Sequence, residues 1–251
     1  MLYLFWLETL RMLRDPKYLA LAVGAPIGFY LLFSTLFGGG RTVPGQLPGV
    51  VEIAVAMAAF GAIWSAISTT GPRLAEERQI GWIEQLRSMP IPGWQVLTAK
   101  LLASFVTALP AIVLVCLTAI VAKGASLTLG QWLSLVTLIW LGSLTFSAMG
   151  ILLGLVLPAE LAFPASYGLY LAGSALGGLW VPPSVMPAGM FDVAVWLPTY
   201  HLANLGWAVA GGSAPPLLSV LNLIGWTAIF AVGALTTFRR PRLRRRTKLP
   251  T

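Results

Sequence analysis

The chain has 251 residues, 57% of them hydrophobic and only 10% charged, with a mean hydropathy of +0.83. A soluble domain of this size usually carries about 25% charged residues, so a single water-soluble core is implausible and a bilayer is the natural solvent. The formal net charge of +8 does not point to nucleic acid, because seven of the sixteen basic residues crowd the last thirteen positions, directly behind an apolar run. There Arg239, Arg240, Arg242, Arg244, Arg245, Arg246 and Lys248 read as a cytosolic anchor against anionic lipid.

In chain order, residues 1–17 place Leu2, Trp6, Leu10 and Leu13 at three- to four-residue spacing, with Glu8, Arg11 and Arg14 on another face. Asp15-Pro16 then interrupts the helix. The pattern predicts an amphipathic helix on the inner membrane surface; a charged flank that only positions the first span is the plainer alternative. The apolar stretch that follows is too long for a signal-peptide core and lacks a small-residue cleavage site, so it reads as a retained span.

Six runs have spanning length: residues 18–37, 50–70, 101–122, 132–157, 162–180 and 217–238. None alternates as barrel strands do. The expected fold is therefore an all-α integral membrane protein, a single six-span unit over residues 1–238 followed by a basic tail, 239–251. Pro26 and Pro110 lie within two of the runs and should kink them. With both termini inside, fourteen of the sixteen basic residues face the cytoplasm and only Arg41 and Lys123 face out. The lone cysteine, Cys116, sits in an apolar run and reads as a small packing residue.

Between the second and third runs lies the most charged internal stretch, residues 73–92. Arg73 and Glu77 are four apart and Glu84 and Arg87 three apart, both compatible with a helix. Gly81 offers a bend, and Pro90-Ile91-Pro92 a stop. Ile80, Ile83 and Leu86 recur every third residue along one edge. A short helix of this kind suits docking into a protein groove; a solvated loop against the bilayer is the bland alternative. Residues 181–216 hold no Lys or Arg, one acid and several prolines, yet remain apolar. Short re-entrant helices in the outer interface are expected, with Trp180, Trp196, Tyr200 and Trp207 at headgroup depth.

The missing chemistry is equally informative. None of the four lysines follows a glycine, so a P-loop cannot form. One histidine and one cysteine cannot build a zinc site. His201 reads as a hydrogen-bonded surface residue, and no serine has an obvious base partner. Span interiors hold no acid or base to relay an ion. If such a chain moves a molecule uphill, it must borrow energy from a partner. Glycines four apart, at Gly24/Gly28, Gly150/Gly154 and Gly173/Gly177, could serve close helix packing.

These features together resemble the permease subunit of type-2 ABC exporters. The residues that carry the resemblance are Arg14-Asp15-Pro16, Phe37-Gly38-Gly39, the cytosolic Glu77, Gly81, Glu84, Leu86 and Pro90, Lys100, and Leu197-Pro198-Thr199-Tyr200. The resemblance implies a connecting helix containing Trp6, Glu8, Arg11 and Arg14. It implies a coupling helix drawn from Glu77, Ile80, Gly81, Trp82, Ile83, Glu84, Leu86, Arg87 and Pro90. Trp82 departs from the family habit of a small polar residue there. It further implies two copies of a separate ATPase holding ATP and magnesium, a second permease identical or homologous, and residence in a bacterial-type inner membrane. Spans two and five would line the central path. Uncharged spans suit a lipophilic or amphipathic substrate. A membrane scaffold binding a cytosolic partner through residues 73–92, without transport, is the alternative function.

Overall fold

The computed structural model describes residues 20–38, 47–81, 93–183 and 186–239. Among them regular structure is helical throughout, with no strand. A π-helical turn at Ala20–Gly24 runs into α1 (Ala25–Phe37). There follow α2 (Gly49–Gln79), α3 (Gly93–Lys123), α4 (Leu129–Val156) and α5 (Ala159–Leu176). Two short helices, α6 (Ala188–Ala194) and α7 (Pro198–Ala210), precede α8 (Leu217–Arg239).

Five helices are long and apolar enough to cross a membrane: Ala20–Phe37, α2, α3, α4 and α8. That is one fewer than the six runs expected. The remaining run forms α5, which at 18 residues is about 27 Å long. Glu160, Pro164, Ser166, Tyr167, Tyr170 and Ser174 dilute its apolar content. It also ends before Trp180, which lies in the turn after Gly177 and Gly178. The chain is a multi-pass membrane protein.

Helix α2 is the core of the bundle. Residues 54–67 are buried without interruption, and six of the first thirteen are alanine. Small side chains let neighbouring backbones approach closely, which is how helices associate where lipid removes the hydrophobic drive. At Gly61 a Cβ would lie 3.0 Å from Pro26 of α1 and 3.3 Å from Ala111 of α3. Helix α4 runs along another side of α2, and its Gly150/Gly154 pair forms the tightest crossing. A Cβ at Gly154 would sit 2.5 Å from the Gly71 carbonyl, and one at Gly150 would sit 2.0 Å from Thr70 Oγ1. The Gly173/Gly177 pair seats Thr199, whose hydroxyl donates to the Gly173 carbonyl at 2.7 Å. Gly28, by contrast, has open space around it.

Hydroxyl and indole groups join the outer helices of the bundle. Ser104 of α3 donates to Ser147 of α4 at 2.8 Å, and Thr145 of α4 lies 2.7 Å from Thr227 of α8. The Trp140 indole donates to the Phe105 carbonyl at 2.7 Å while its ring stacks on Phe105 at 4.0 Å. Thr128 and Gln131 form a capping box that starts α4. Cys116 is buried, as its packing role requires.

Two boundaries depart from the sequence reading. Helix α2 continues through Pro72 to Gln79, so residues 73–79 are its last two turns rather than a separate loop. Near the proline, Thr69 and Thr70 hydroxyls donate one turn back to the Ser65 and Ala66 carbonyls, and side chains of this kind help membrane helices tolerate proline. Helix α3 begins at Gly93, two turns ahead of the apolar run.

Candidate functional site at the charged end of α2

Helix α2 ends where the chain needs a conformation that L side chains avoid: Gly81 has φ +76°, as its expected bend requires. Ile80, just before it, is 78% exposed. Of the residues expected in a coupling helix, Glu77, Ile80 and Gly81 are thereby located; Trp82, Ile83, Glu84, Leu86, Arg87 and Pro90 lie outside the described residues. So do Trp6, Glu8, Arg11 and Arg14, and the tail residues Arg240, Arg242, Arg244, Arg245 and Arg246; Arg239 closes α8.

Three consecutive residues fasten this end of α2 to three other elements. Lys100 Nζ of α3 lies 2.7 Å from both carboxylate oxygens of Glu77. The pair is largely buried, with Lys100 5% and Glu77 13% exposed. The ion pair of Glu77 crosses to α3, and the helix that the Arg73/Glu77 spacing supports is formed by the last turns of α2. Arg78 donates through Nη1 to the Gly154 and Leu157 carbonyls, satisfying acceptors that the C-terminus of α4 leaves open. Gln79 Nε2 donates to Glu160 Oε1 of α5 at 2.8 Å. Between α4 and α5 the chain is only Leu157 and Pro158, both extended. The three residues before the Ile80–Gly81 tip thus join it to α3 and to the α4–α5 turn.

Sequence reasoning placed Arg78, Lys100 and Glu160 on one side of the membrane but did not pair them, and it passed over Gln79. The one available signal was their common position at run ends. The acceptors of Arg78 are backbone carbonyls, which no residue type reveals.

The opposite end is built differently. Helices α6 and α7 are the short helices expected in 181–216. Trp196 is exposed, whereas Trp207 is buried and donates to the Glu52 carbonyl at 3.0 Å, so it packs on the start of α2. His201 is likewise not at the surface: it is 2% exposed. Its Nε2 donates to the Val195 carbonyl at 2.8 Å, leaving Nδ1, 3.0 Å from Ser219 Oγ, as the acceptor. Asn204 also donates to Ser219 Oγ. Burial pulls the imidazole pKa down, partly opposed by the Val195 bond. A buried neutral histidine bridging α7 and α8 is a structural tie. Among the described residues, no three His, Cys, Asp or Glu side chains gather as a metal site would need.

Residues 1–210 match the family model described as ABC-2 type transporter. Across 223 residues the chain is 30% identical to "Putative transport permease YvfS" of Bacillus subtilis (strain 168), covering 89% of this chain and 90% of that protein. A membrane-spanning helical bundle with a fastened, charged helix end, matched by that family over most of its length, belongs to the ABC-2 type transporter family as a permease subunit.

Proposed function

We propose that this permease is the transmembrane subunit of an exporter driven by a separate ATPase, with the charged end of α2 as the place where the drive enters. In this reading α5 is a sixth span and both termini are cytoplasmic. Two permeases and two ATPases form the working unit, and ATP with magnesium binds only on the ATPases. Residues 80–90 dock in an ATPase groove. When the ATPases close, the push on Ile80 and Gly81 travels along α2. Glu77–Lys100 carries it to α3, while Arg78 and Gln79 carry it to the α4–α5 turn, so that α5 swings about Leu157–Pro158. A lipophilic or amphipathic molecule between the two permeases is thereby released outward.

The observation that carries this reading is the triple fastening by Glu77, Arg78 and Gln79 beside an exposed apolar tip. A scaffold that only held a partner would need the tip but not side-chain links from beside it to α3, α4 and α5. Co-isolation from native membranes in mild detergent tests the partner: an ATPase in roughly equal amount is expected, lost when Glu84 and Arg87 are both replaced by alanine. ATP-dependent uptake into inverted vesicles tests the direction. Recovery without an ATPase would exclude the reading, and an ATPase without ATP-dependent movement would favour the scaffold.

A further inference from the structure

We propose that Pro26, Gly61 and Pro110 form a hinge layer, about which the distal halves of α1 and α3, those away from the charged end of α2, swing together. The inference rests on packing within one chain and stands whether or not an ATPase supplies a drive. Three bend-prone points lie at one level. Helix α1 opens with Pro26 directly behind the π-helical turn Ala20–Gly24, and both a proline and such a change of winding are sites where helices bend. Helix α3 carries Pro110 in its interior, where the ring removes the bond to the Val106 carbonyl and crowds the preceding turn. Gly61 of α2 lies between them. A Cβ there would be 3.0 Å from Pro26 Cγ, 3.3 Å from Ala111 Cβ and 3.3 Å from the Ala22 carbonyl. Pro26 and Ala111, the neighbour of Pro110, thus meet at the one residue of the buried stretch 54–67 that has no side chain.

The two halves of α3 are held by different means. On the near side of Pro110, polar bonds fix the helix to α2 and α4. Lys100 pairs with Glu77, Ser104 donates to Ser147, and Trp140 both donates to the Phe105 carbonyl and stacks on its ring. On the far side, among the described residues, no side chain from Ala111 to Ala122 bonds to another helix; Thr118 donates back to Leu114 of its own. The buried positions there are Ala111, Ile112, Val115, Cys116 and Ala119. Mostly small side chains interdigitate little, so this seam resists a tilt less than the Gly150/Gly154 crossing, where backbone lies on backbone. The bond that closes α3 goes to α1: Lys123 Nζ donates to Thr35 Oγ1 at 2.7 Å. It joins the two distal halves to one another. Phe29 of α1 touches Phe60 and Trp180 only through apolar ring contacts, which have no bond direction to lose.

Geometry sets the size of the movement. The helix from Ala111 to Lys123 is about 18 Å long, so a bend of about 20° at Pro110 carries its end by about 6 Å. The same bend at Pro26 carries Phe37 by a similar distance, so the Lys123–Thr35 bond survives a joint swing. Lys100 lies on the other side of the layer and keeps Glu77 throughout. Helices α4 and α8 hold no proline and are tied by Thr145 and Thr227, which makes them the stationary reference.

The test uses the full-length protein in lipid nanodiscs, with Cys116→Ala so that nitroxide labels go only to introduced cysteines, and pulsed spin–spin distance measurement. Leu102→Cys with Leu235→Cys spans the near halves of α3 and α8, and Val121→Cys with Leu217→Cys spans their distal halves; all four positions are exposed. Leu36→Cys with Leu217→Cys reports α1, and Leu36 too is exposed. Both distal pairs should show distances spread over about 6 Å more than the near pair. Pro110→Ala restores the missing backbone donor and should narrow the Val121–Leu217 distribution to the width of the near pair. The proposal is overturned if the distal pairs are no broader than the near one, if only one of them is broader, or if Pro110→Ala leaves the width unchanged. Elution profile and unfolding temperature show whether the variant folds. If it does not, Pro26→Ala decides by the same criterion, read from the Leu36–Leu217 pair.

Discussion

The two ends of the bundle are secured by different chemistry. At the charged end Glu77 meets a lysine, Gln79 meets a glutamate, and Arg78 wraps the last carbonyls of α4. At the other end neutral donors dominate, and most of them find backbone oxygens. Trp207 donates to Glu52, Gln131 to Ala210, Trp226 to Trp196 and Thr199 to Gly173. A side-chain pair has a bond to break on both sides and can exchange partners when helices shift. A bond to a carbonyl keeps its acceptor whatever the neighbouring residue type, and indoles are anchored by their area as well. Glu77 and Gln79 therefore hold partners that can be exchanged, whereas Arg78 and the neutral end hold main-chain oxygens.

The largest expected effect breaks the packing beneath both. Gly154 lies against the Gly71 carbonyl, a backbone atom that cannot rotate away, and against Leu74 Cβ. Gly154→Leu should destabilise by more than the usual overpacking range of about 1–3 kcal/mol, so that little monodisperse protein survives extraction. Gly177→Ala would meet Thr199 and the Gly173 carbonyl, but adds a single methyl and should cost less than leucine at 154. Gly28→Ala, with nothing nearby, should match the parent in thermal unfolding. Equal losses at positions 28 and 154 would mean that the α2–α4 crossing is not the tight one.

Next is the ion pair. Lys100→Met leaves Glu77 largely buried beside an apolar chain, and breaking such a pair costs several kcal/mol when it is fully buried. With Glu77 13% exposed, about 2–3 kcal/mol is expected. Replacing Glu77 by Met as well should recover much of this, because the stranded charge is gone. A double-mutant cycle by thermal unfolding in detergent reads the coupling directly. Additive losses would show that the two groups do not stabilise one another.

Arg78→Gln should cost less stability, about 1–2 kcal/mol for the charge-assisted bonds to α4. Its effect on transport should exceed its effect on folding. If the charged end transmits movement, ATP hydrolysis continues in the assembled complex while vesicle uptake falls. A matching decline in both rates would make Arg78 a packing residue only.

How much of this could be read from the chain follows the same division. Apolar runs marked α1 to α4 and α8 because lipid tolerates little else across about 30 Å. The run that became α5 was located, but Pro164, Ser166 and the tyrosines dilute its apolar content, and spacing alone does not say what they face. Gly81 was legible because only glycine suits its backbone. The end of the apolar run at residue 70 did not mark the end of the helix, which continues through Pro72 with hydroxyls that bond back to the carbonyls of the preceding turn. The Gly150/Gly154 and Gly24/Gly28 spacings look alike in sequence, and only packing distinguishes them. The buried states of Trp207 and His201 were illegible because their partners include main-chain oxygens.

The smallest expected effect sharpens the picture of the neutral end. His201 is neutral because burial lowers its pKa, so the unfolded chain, with a pKa near 6.5, binds the proton more readily than the native fold. Stability contributed by the neutral ring is complete above that unfolded value. It is lost as pH falls from there through the depressed native pKa, below which protonation costs no more. Thermal unfolding of the parent should therefore be level in pH from about 8 to 7 and lose a measurable amount of stability towards pH 5. His201→Gln keeps a polar group but cannot take up a proton, and its low-pH decline should be shallower by that amount, whatever its stability at pH 8. Parallel pH profiles for the two proteins would mean that the imidazole is as easily protonated in the fold as out of it, and that the tie between α7 and α8 does not depend on its charge.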